Sequence, residues 1–182
     1  MSDIPIIIIP FRNRYQHLCE WLGRCRRRLP RRTVVLVVEQ CDNQKFNRGA
    51  ILNAGFVRAQ QLGARRVIFH DVDLIPDNAL IDMYTRPWPT PVVHFGARFT
   101  RYNNCKSYFG GVVGFDCYYF PGFSNLFYGW GGEDDSLYRR TQKQMISRPH
   151  VGAYDDLERY KSPVEKLRTL RVKDKCTNKR EL

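Results

Sequence analysis

Apolar positions in the first half of the chain switch between two spacings. Ile4-Pro5-Ile6-Ile7-Ile8-Ile9 is a short, mostly β-branched run that stops at Pro10, the pattern of a buried strand. Over residues 14–29, Tyr15, Leu18, Cys19, Leu22 and Leu29 recur at helical spacing. Residues 33–38 form a second β-branched run. Residues 50–62 return to a helical pattern through Ile51, Leu52, Ala54, Phe56 and Val57, with Gly63 placed to end the helix. Val67-Ile68-Phe69 is a third strand. Strand and helix in strict alternation predict an α/β fold with a parallel sheet and crossover helices. Strands this apolar fit a sheet covered on both faces. Beyond Pro76 the pattern changes to two short strands, Val92-Val93-His94-Phe95 and Val112-Val113-Gly114-Phe115, the second preceded by Gly110-Gly111. From Ser147 onward apolar content falls and charge rises. No repeat, low-complexity tract or second domain is evident.

Polar residues cluster where the predicted strands end. Ligands in such sheets bind beyond the carboxyl ends of the strands. The first strand leads into Pro10-Phe11-Arg12-Asn13-Arg14, the second into Glu39-Gln40, and the third into His70-Asp71-Val72-Asp73. The two aspartates should point to one side, because strand side chains alternate. Hard carboxylate oxygens there suit Mg²⁺ or Mn²⁺ bridging a diphosphate. Guanidinium forks match diphosphate oxygens, which fits Arg12 and Arg14. Phe46-Asn47-Arg48 opens the second helix, with Asn47 a natural N-cap, Arg48 suited to an anion and Phe46 to a base. Phe127-Tyr128-Gly129-Trp130-Gly131-Gly132-Glu133-Asp134-Asp135 then sets an aromatic wall, flexible glycines and three acids in front of Leu137 and Tyr138. That is a glycine-rich loop delivering carboxylates to a helix N-terminus.

Composition narrows the partners. The chain has 182 residues and 43% hydrophobic content, enough for one domain with a core. Aromatic content of 13% suits carbohydrate or nucleotide binding as well as a bulky core. The net charge of +12 is concentrated in Arg24, Arg26, Arg27, Arg28, Arg31 and Arg32 and in a basic stretch from Lys161 to Arg180. This favours phosphate-bearing partners, but no nucleic-acid-binding motif accompanies it, so a solvated basic face is the plainer account. The six cysteines include no C-x-x-C pair, which argues against zinc. No signal peptide is present, and the four isoleucines from Ile6 to Ile9 fall far short of the ~20 apolar residues that cross a bilayer.

Five motifs in order, Pro10-Phe11-Arg12-Asn13-Arg14, Phe46-Asn47-Arg48, Asp71-Val72-Asp73-Leu74, Tyr108-Phe109-Gly110-Gly111 and Trp130-Gly131-Gly132-Glu133-Asp134-Asp135, are similar to those of the β-1,4-galactosyltransferase family. The resemblance runs from about Ile4 to Pro149. It implies a GT-A fold, Rossmann-like, with a mostly parallel central sheet flanked by helices in a single domain. Within residues 1–182 it implies a nucleotide-binding half (1–75), an acceptor and flap half (76–150) and a divergent basic segment (151–182). The implied reaction is inverting transfer of galactose from UDP-galactose to a glycan hydroxyl. By the same resemblance Pro10, Phe11, Arg12, Arg14, Phe46 and Arg48 hold the uridine and diphosphate, with Val72 and Asp71 beside the donor. Asp73 binds the metal, and Trp130 sits on a mobile flap. Asp134 is the base, with Glu133 beside it, and Gly111 and Asp135 lie with Trp130 on the acceptor side. Tyr108 stands where family members using UDP-galactose carry tyrosine, which favours galactose over an N-acetylhexosamine. Transfer of an N-acetylhexosamine and a catalytically silent UDP-sugar or polyanion binder are the alternatives.

The resemblance breaks after Ser147-Arg148-Pro149. The family places Met and His there as further metal ligands; at that spacing this chain has Asp156 and Arg159. Three readings stay open: Asp155 or Asp156 supplies harder oxygen ligands, Arg159 and its basic neighbours replace the cation, or the site is inactive. Altered or weakened Mn²⁺ or Mg²⁺ binding ranks first. His17 and His70 are expected to be structural, while His94 and His150 warrant testing. The absence of an anchor and of the family's cysteine pattern suggests a compact soluble protein of the cytoplasm, or of the Golgi lumen if the chain is part of a longer one.

Overall fold

The computed structural model describes residues 4–99, 107–129, 131–141 and 146–159. A six-stranded sheet forms its centre, in the order β2-β1-β3-β6-β5-β7. Its strands are β1 (Ile6–Phe11), β2 (Val35–Glu39), β3 (Arg66–His70), β5 (Val92–Val93), β6 (Val112–Asp116) and β7 (Ile146–Ser147). β4 (Leu74–Pro76) pairs with β8 (Tyr154–Asp156) in a separate two-stranded ribbon. Helices α1 (Tyr15–Cys25), α2 (Arg48–Gln61), α3 (Asn78–Thr85) and α4 (Glu133–Arg140) complete the order.

β1 is apolar throughout because both of its faces are covered. Ile7 and Ile9 enter one core cluster with Trp21 and Cys25 of α1, Ile68, and Leu80, Ile81 and Tyr84 of α3. Ile6 and Ile8 enter the other with Leu52 and Ala59 of α2, Val67, Phe69, Val113 and Phe115. The period of two along the strand sorts neighbouring isoleucines onto opposite faces. Phe120 and Phe123 pack against Phe69 at 4.6 and 5.1 Å between ring centroids and close the second cluster.

Several expectations are corrected. β1 does not stop at Pro10 but runs through Phe11, because a parallel partner is available beyond the proline in the Pro10↔Val38 and Phe11↔Glu39 register. The first helix ends at Cys25, not at 29; a run of three arginines follows, and Pro30 disfavours helical backbone at Leu29. β2 begins at Val35 and lies at the sheet edge, so it is only half covered and Val37 is 39% exposed. The sheet is mostly parallel, as expected, through β2-β1-β3 and β5-β7, with β6 alone among these strands running antiparallel, to both β3 and β5. The strand expected over 92–95 is confined to Val92–Val93 and gives way to a 3-10 turn, Phe95–Arg98. The expected cap residues hold: Asn47 Oδ1 accepts from Ala50 N–H at 2.9 Å, and Gly63 takes a φ of 78° after α2.

Candidate active site

The reversed direction of β6 gathers the polar motifs. β1 and β3 end at one edge of the sheet, and β6 starts there, so Gly110-Gly111 lies against the exit of β3. The Asp71 N–H donates to the Gly111 carbonyl at 2.9 Å. Asp71-Val72-Asp73 is not strand, as alternation assumed; β3 stops at His70, and the three residues turn into β4 with Leu74 N–H bonded back to the Asp71 carbonyl. His70 fixes that turn from below. It is fully buried, with Nδ1 2.8 Å from the Asp71 carbonyl and Nε2 3.1 Å from the Tyr84 hydroxyl. Burial lowers its pKa to about 4, so it is a neutral prop.

Arg48 joins the donor-side and flap-side acids. Its Nε donates to Asp71 Oδ1 at 2.9 Å, Nη1 donates to Asp134 Oδ1 at 2.9 Å, and Glu133 Oε1 lies 3.6 Å away. Only 12% of the Arg48 side chain is exposed. Burial opposes its charge, but Asp134, Asp71 and Glu133 outweigh burial and hold the guanidinium firmly protonated. All three acids of the glycine-rich loop fall in the first turn of α4, behind Gly131 and Gly132 at φ 90° and 106°. Burial raises the Asp134 carboxyl, Arg48 opposes the rise, and Glu133 and Asp71 add to it, which brings it to about 8. A carboxylate of that basicity takes up a proton readily near neutral pH.

Gly110 is the floor under Asp134. A Cβ built on it would lie 2.4 Å from Asp134 Oδ2 and 2.9 Å from the Tyr108 ring. The Gly110 carbonyl is held by His94 Nε2 at 3.0 Å, and His94 is buried with a pKa lowered to about 3, chiefly by desolvation. His94 therefore supports the loop and does not face the acids as a charged group. Gly110→Ala should displace the Asp134 carboxylate and disturb its pair with Arg48, with some loss of thermal stability and a larger loss of turnover. A misplacement on the order of 1 Å costs about 10²-fold in rate. Unchanged turnover in the variant would remove Gly110 from this role.

A second acidic group surrounds Asp73. β8 pairs with β4 so that Asp156 stands opposite Leu74, and Leu157 N–H donates to the Asp73 carbonyl at 2.9 Å. Burial raises Asp73, Asp71 and Glu158 add to the rise, Arg14 opposes it and Asp156 contributes further, giving about 7. Glu158, which sequence reasoning passed over, pairs with Arg14. Its position two residues after Asp156 was the available signal. Asp155 pairs with Arg24, whose Nη1 is 2.7 Å away, and with Arg159. Among the described residues no three acidic, histidine or cysteine side chains gather closely enough to hold a metal alone. The donor set suits a hard cation that takes one or two carboxylates and completes its shell with substrate oxygens, a habit of Mg²⁺.

The remaining sequence-predicted residues fall as follows. Pro10 and Phe11 close β1, and Phe11 is buried with its ring edge-on to Tyr15. Arg12 donates to the Gln44 and Asp42 carbonyls and ties the β1 exit to the loop before α2. Phe46 is half-buried, and its carbonyl accepts from Gly129 N–H at 2.8 Å, which joins that loop to the glycine-rich segment. Val72 is buried, Tyr108 is half-buried against His94, Gly111 has a φ of 75°, and Asp135 and His150 are exposed. Trp130 and the basic stretch from 160 onward lie outside the described residues. The described cysteines, Cys19, Cys25, Cys41 and Cys117, are free thiols.

The raised carboxyls and the lowered histidines make stability depend on pH with opposite signs. Asp73 and Asp134 keep protons that the unfolded chain releases above about 3.8, so stability falls as pH rises toward 7 and 8. His70 and His94 stay neutral while the unfolded chain gains protons below 6.5, so stability falls as pH drops toward 4 and 3. From about 4 to 6.5 the two effects oppose each other; above 6.5 the carboxyls act alone. The melting temperature of the metal-free protein should therefore decline from pH 6.5 to 8, and Asp134→Asn should flatten that decline. A melting temperature that rises over this interval would contradict the assignment.

Residues 3–85 match the N-terminal region of glycosyl transferase group 7, and residues 90–172 match the N-terminal domain of galactosyltransferase. Beta-1,4-galactosyltransferase 5 of Sus scrofa is 39% identical over 168 residues, which are 86% of this chain and 42% of that protein. The chain thus spans less than half the length of the curated relatives it matches. The catalytic domain of Drosophila beta1,4galactosyltransferase 7 in complex with xylobiose superposes with a TM-score of 0.72 at 24% identity, over 96% of this chain and 82% of that one. A mutant of the Drosophila enzyme in complex with manganese, UDP-Gal and xylobiose gives a TM-score of 0.71 at 25% identity, over 90% and 78%. Both likenesses support a GT-A fold.

Proposed function

Because the chain belongs to the glycosyl transferase group 7 family, we propose that it transfers galactose from UDP-galactose to a hydroxyl of a glycan acceptor, with inversion to a β-linked product. One observation carries this reading: Arg48 brings Asp71, at the exit of β3, and Asp134, at the start of α4, to a single point. The solved relative that binds manganese, UDP-Gal and xylobiose supports the donor and the acceptor class.

Transfer by a single displacement needs one base to take the acceptor's proton as its oxygen attacks the anomeric carbon. Asp134 fills that role, oriented by Arg48 through Oδ1 and by the Gly110 floor beside Oδ2. Glu133 stays close enough to keep the local field negative and Asp134 basic. Arg12 and Arg14, at the exit of β1, face the donor diphosphate, and Phe46 lies at the base. Tyr108 borders the donor sugar and selects galactose. Gly129, Gly131 and Gly132, all at positive φ, give the loop before α4 the backbone freedom to close over the donor and exclude water. Asp73 and Asp156 would hold a divalent cation, which neutralises the charge on the departing UDP. The acids around Asp73 outnumber Arg14, so a diphosphate entering without a cation meets net repulsion.

Among the described residues no helix is long and apolar enough to cross a membrane. The decisive assay measures UDP release from UDP-galactose against a set of glycan acceptors, with Mn²⁺, Mg²⁺ or EDTA. Cation-dependent transfer is expected, and Tyr108→Leu should admit UDP-N-acetylgalactosamine. UDP-galactose binding without turnover on any acceptor would favour a silent binding module instead.

A further inference from the structure

Arg14 occupies the N-cap of α1, directly after Asn13 in a left-handed conformation at φ 51°. Its guanidinium stands at the exit of β1 and at the positive end of the helix, with no acid in the first turn of α1. A cationic side chain beside a helix N-terminus would attract phosphate unaided. In this chain it is already paired. Glu158, whose side chain is 13% exposed, engages Arg14 through Nη1 alone. Glu158 is set in place by its own N–H, which donates to Asp156 Oδ1 at 2.9 Å, and by the Leu157–Asp73 backbone bond. The pair therefore belongs to the same ribbon that brings Asp156 to Asp73.

We infer that Glu158 is a positioning residue that makes diphosphate binding conditional on a cation, by cancelling the charge of Arg14 while holding its guanidinium at the strand exit. The inference rests on the UDP-sugar reading above and deepens it. A guanidinium carries five N–H donors, so a contact through one nitrogen leaves Nε and Nη2 able to meet a diphosphate once a cation has offset the surrounding acids. Without the cation, Asp73, Asp156 and Glu158 surround Arg14, while Asp71 is taken up by Arg48, so a diphosphate meets an excess of negative charge at the strand exit.

Titration calorimetry with UDP and with uridine, each in MnCl₂ and in EDTA, tests this on the parent protein and on Glu158→Gln and Glu158→Ala. The parent should bind UDP much more tightly with Mn²⁺ than in EDTA. Both variants should bind UDP in EDTA about tenfold more tightly than the parent, with uridine affinity unchanged. Adding Arg14→Gln to Glu158→Gln should abolish the gain. Equal or weaker UDP binding in EDTA by the variants would overturn the inference, as would an equal gain for uridine. A parent that binds no UDP under any condition would instead remove the donor assignment. Glutamine keeps the shape of Glu158 and alanine does not, so a folding defect in one variant leaves the other to decide.

Discussion

Asp134→Asn is expected to reduce galactosyl transfer by about 10²- to 10⁴-fold, the usual contribution of a positioned general base. Asparagine fills the same volume and its amide oxygen still accepts from Arg48, so donor binding and folding should survive. The loss should therefore fall on turnover and not on UDP-galactose affinity. In the parent, kcat/KM should rise with pH through about 8 as Asp134 loses its proton, because burial lifts that carboxyl far above the ordinary 3.8. Steady-state rates between pH 6 and 9.5 check both points. Turnover within tenfold of the parent in Asp134→Asn would move the base elsewhere.

Arg48→Met is expected to damage stability and activity together. The guanidinium is nearly enclosed and contacts Asp71, Asp134 and Glu133, which no other described cation approaches so closely. Removing one partner of a buried ion pair costs about 3–5 kcal/mol, since the remaining charge stays buried. The orphaned acids can escape part of that cost by protonation, so the penalty should be larger at pH 8.5 than at pH 6. Urea denaturation at the two pH values measures the difference. A loss below about 1 kcal/mol, the range of an exposed pair, would mean that solvent already screens the cluster.

Legibility in the sequence tracks the range of each interaction. β1, α2 and their caps rest on local periodicity and turn chemistry, and they stand nearly as expected. The GT-A architecture was readable because five motifs keep their order. What failed depended on neighbours distant along the chain. A strand alternation was extended one turn too far into Asp71-Val72-Asp73, because nothing local announces that His70 is the last paired residue. Beside its reading as an anion site, the contacts of Arg48 to acids 23 and 86 residues away were not legible, because their convergence on it is a property of the sheet order. Glu158 was missed because its partner is 144 residues distant and its segment is where the resemblance ends. The family spacing directed attention to Asp156 and Arg159, with Asp155 as a substitute; the pairing of Arg159 with Asp155 was not legible from it.

The ribbon of β4 and β8 has a consequence for the growing polypeptide. All six strands of the central sheet are complete once Ser147 has been made, yet Asp156 and Glu158 reach Asp73 only when β8 docks on β4. A nascent chain can therefore bury its core before the donor edge exists. The last described segment to be synthesised is the one that brings Asp156 and Glu158 to Asp73, and a chain interrupted between the two events would be folded but unarmed.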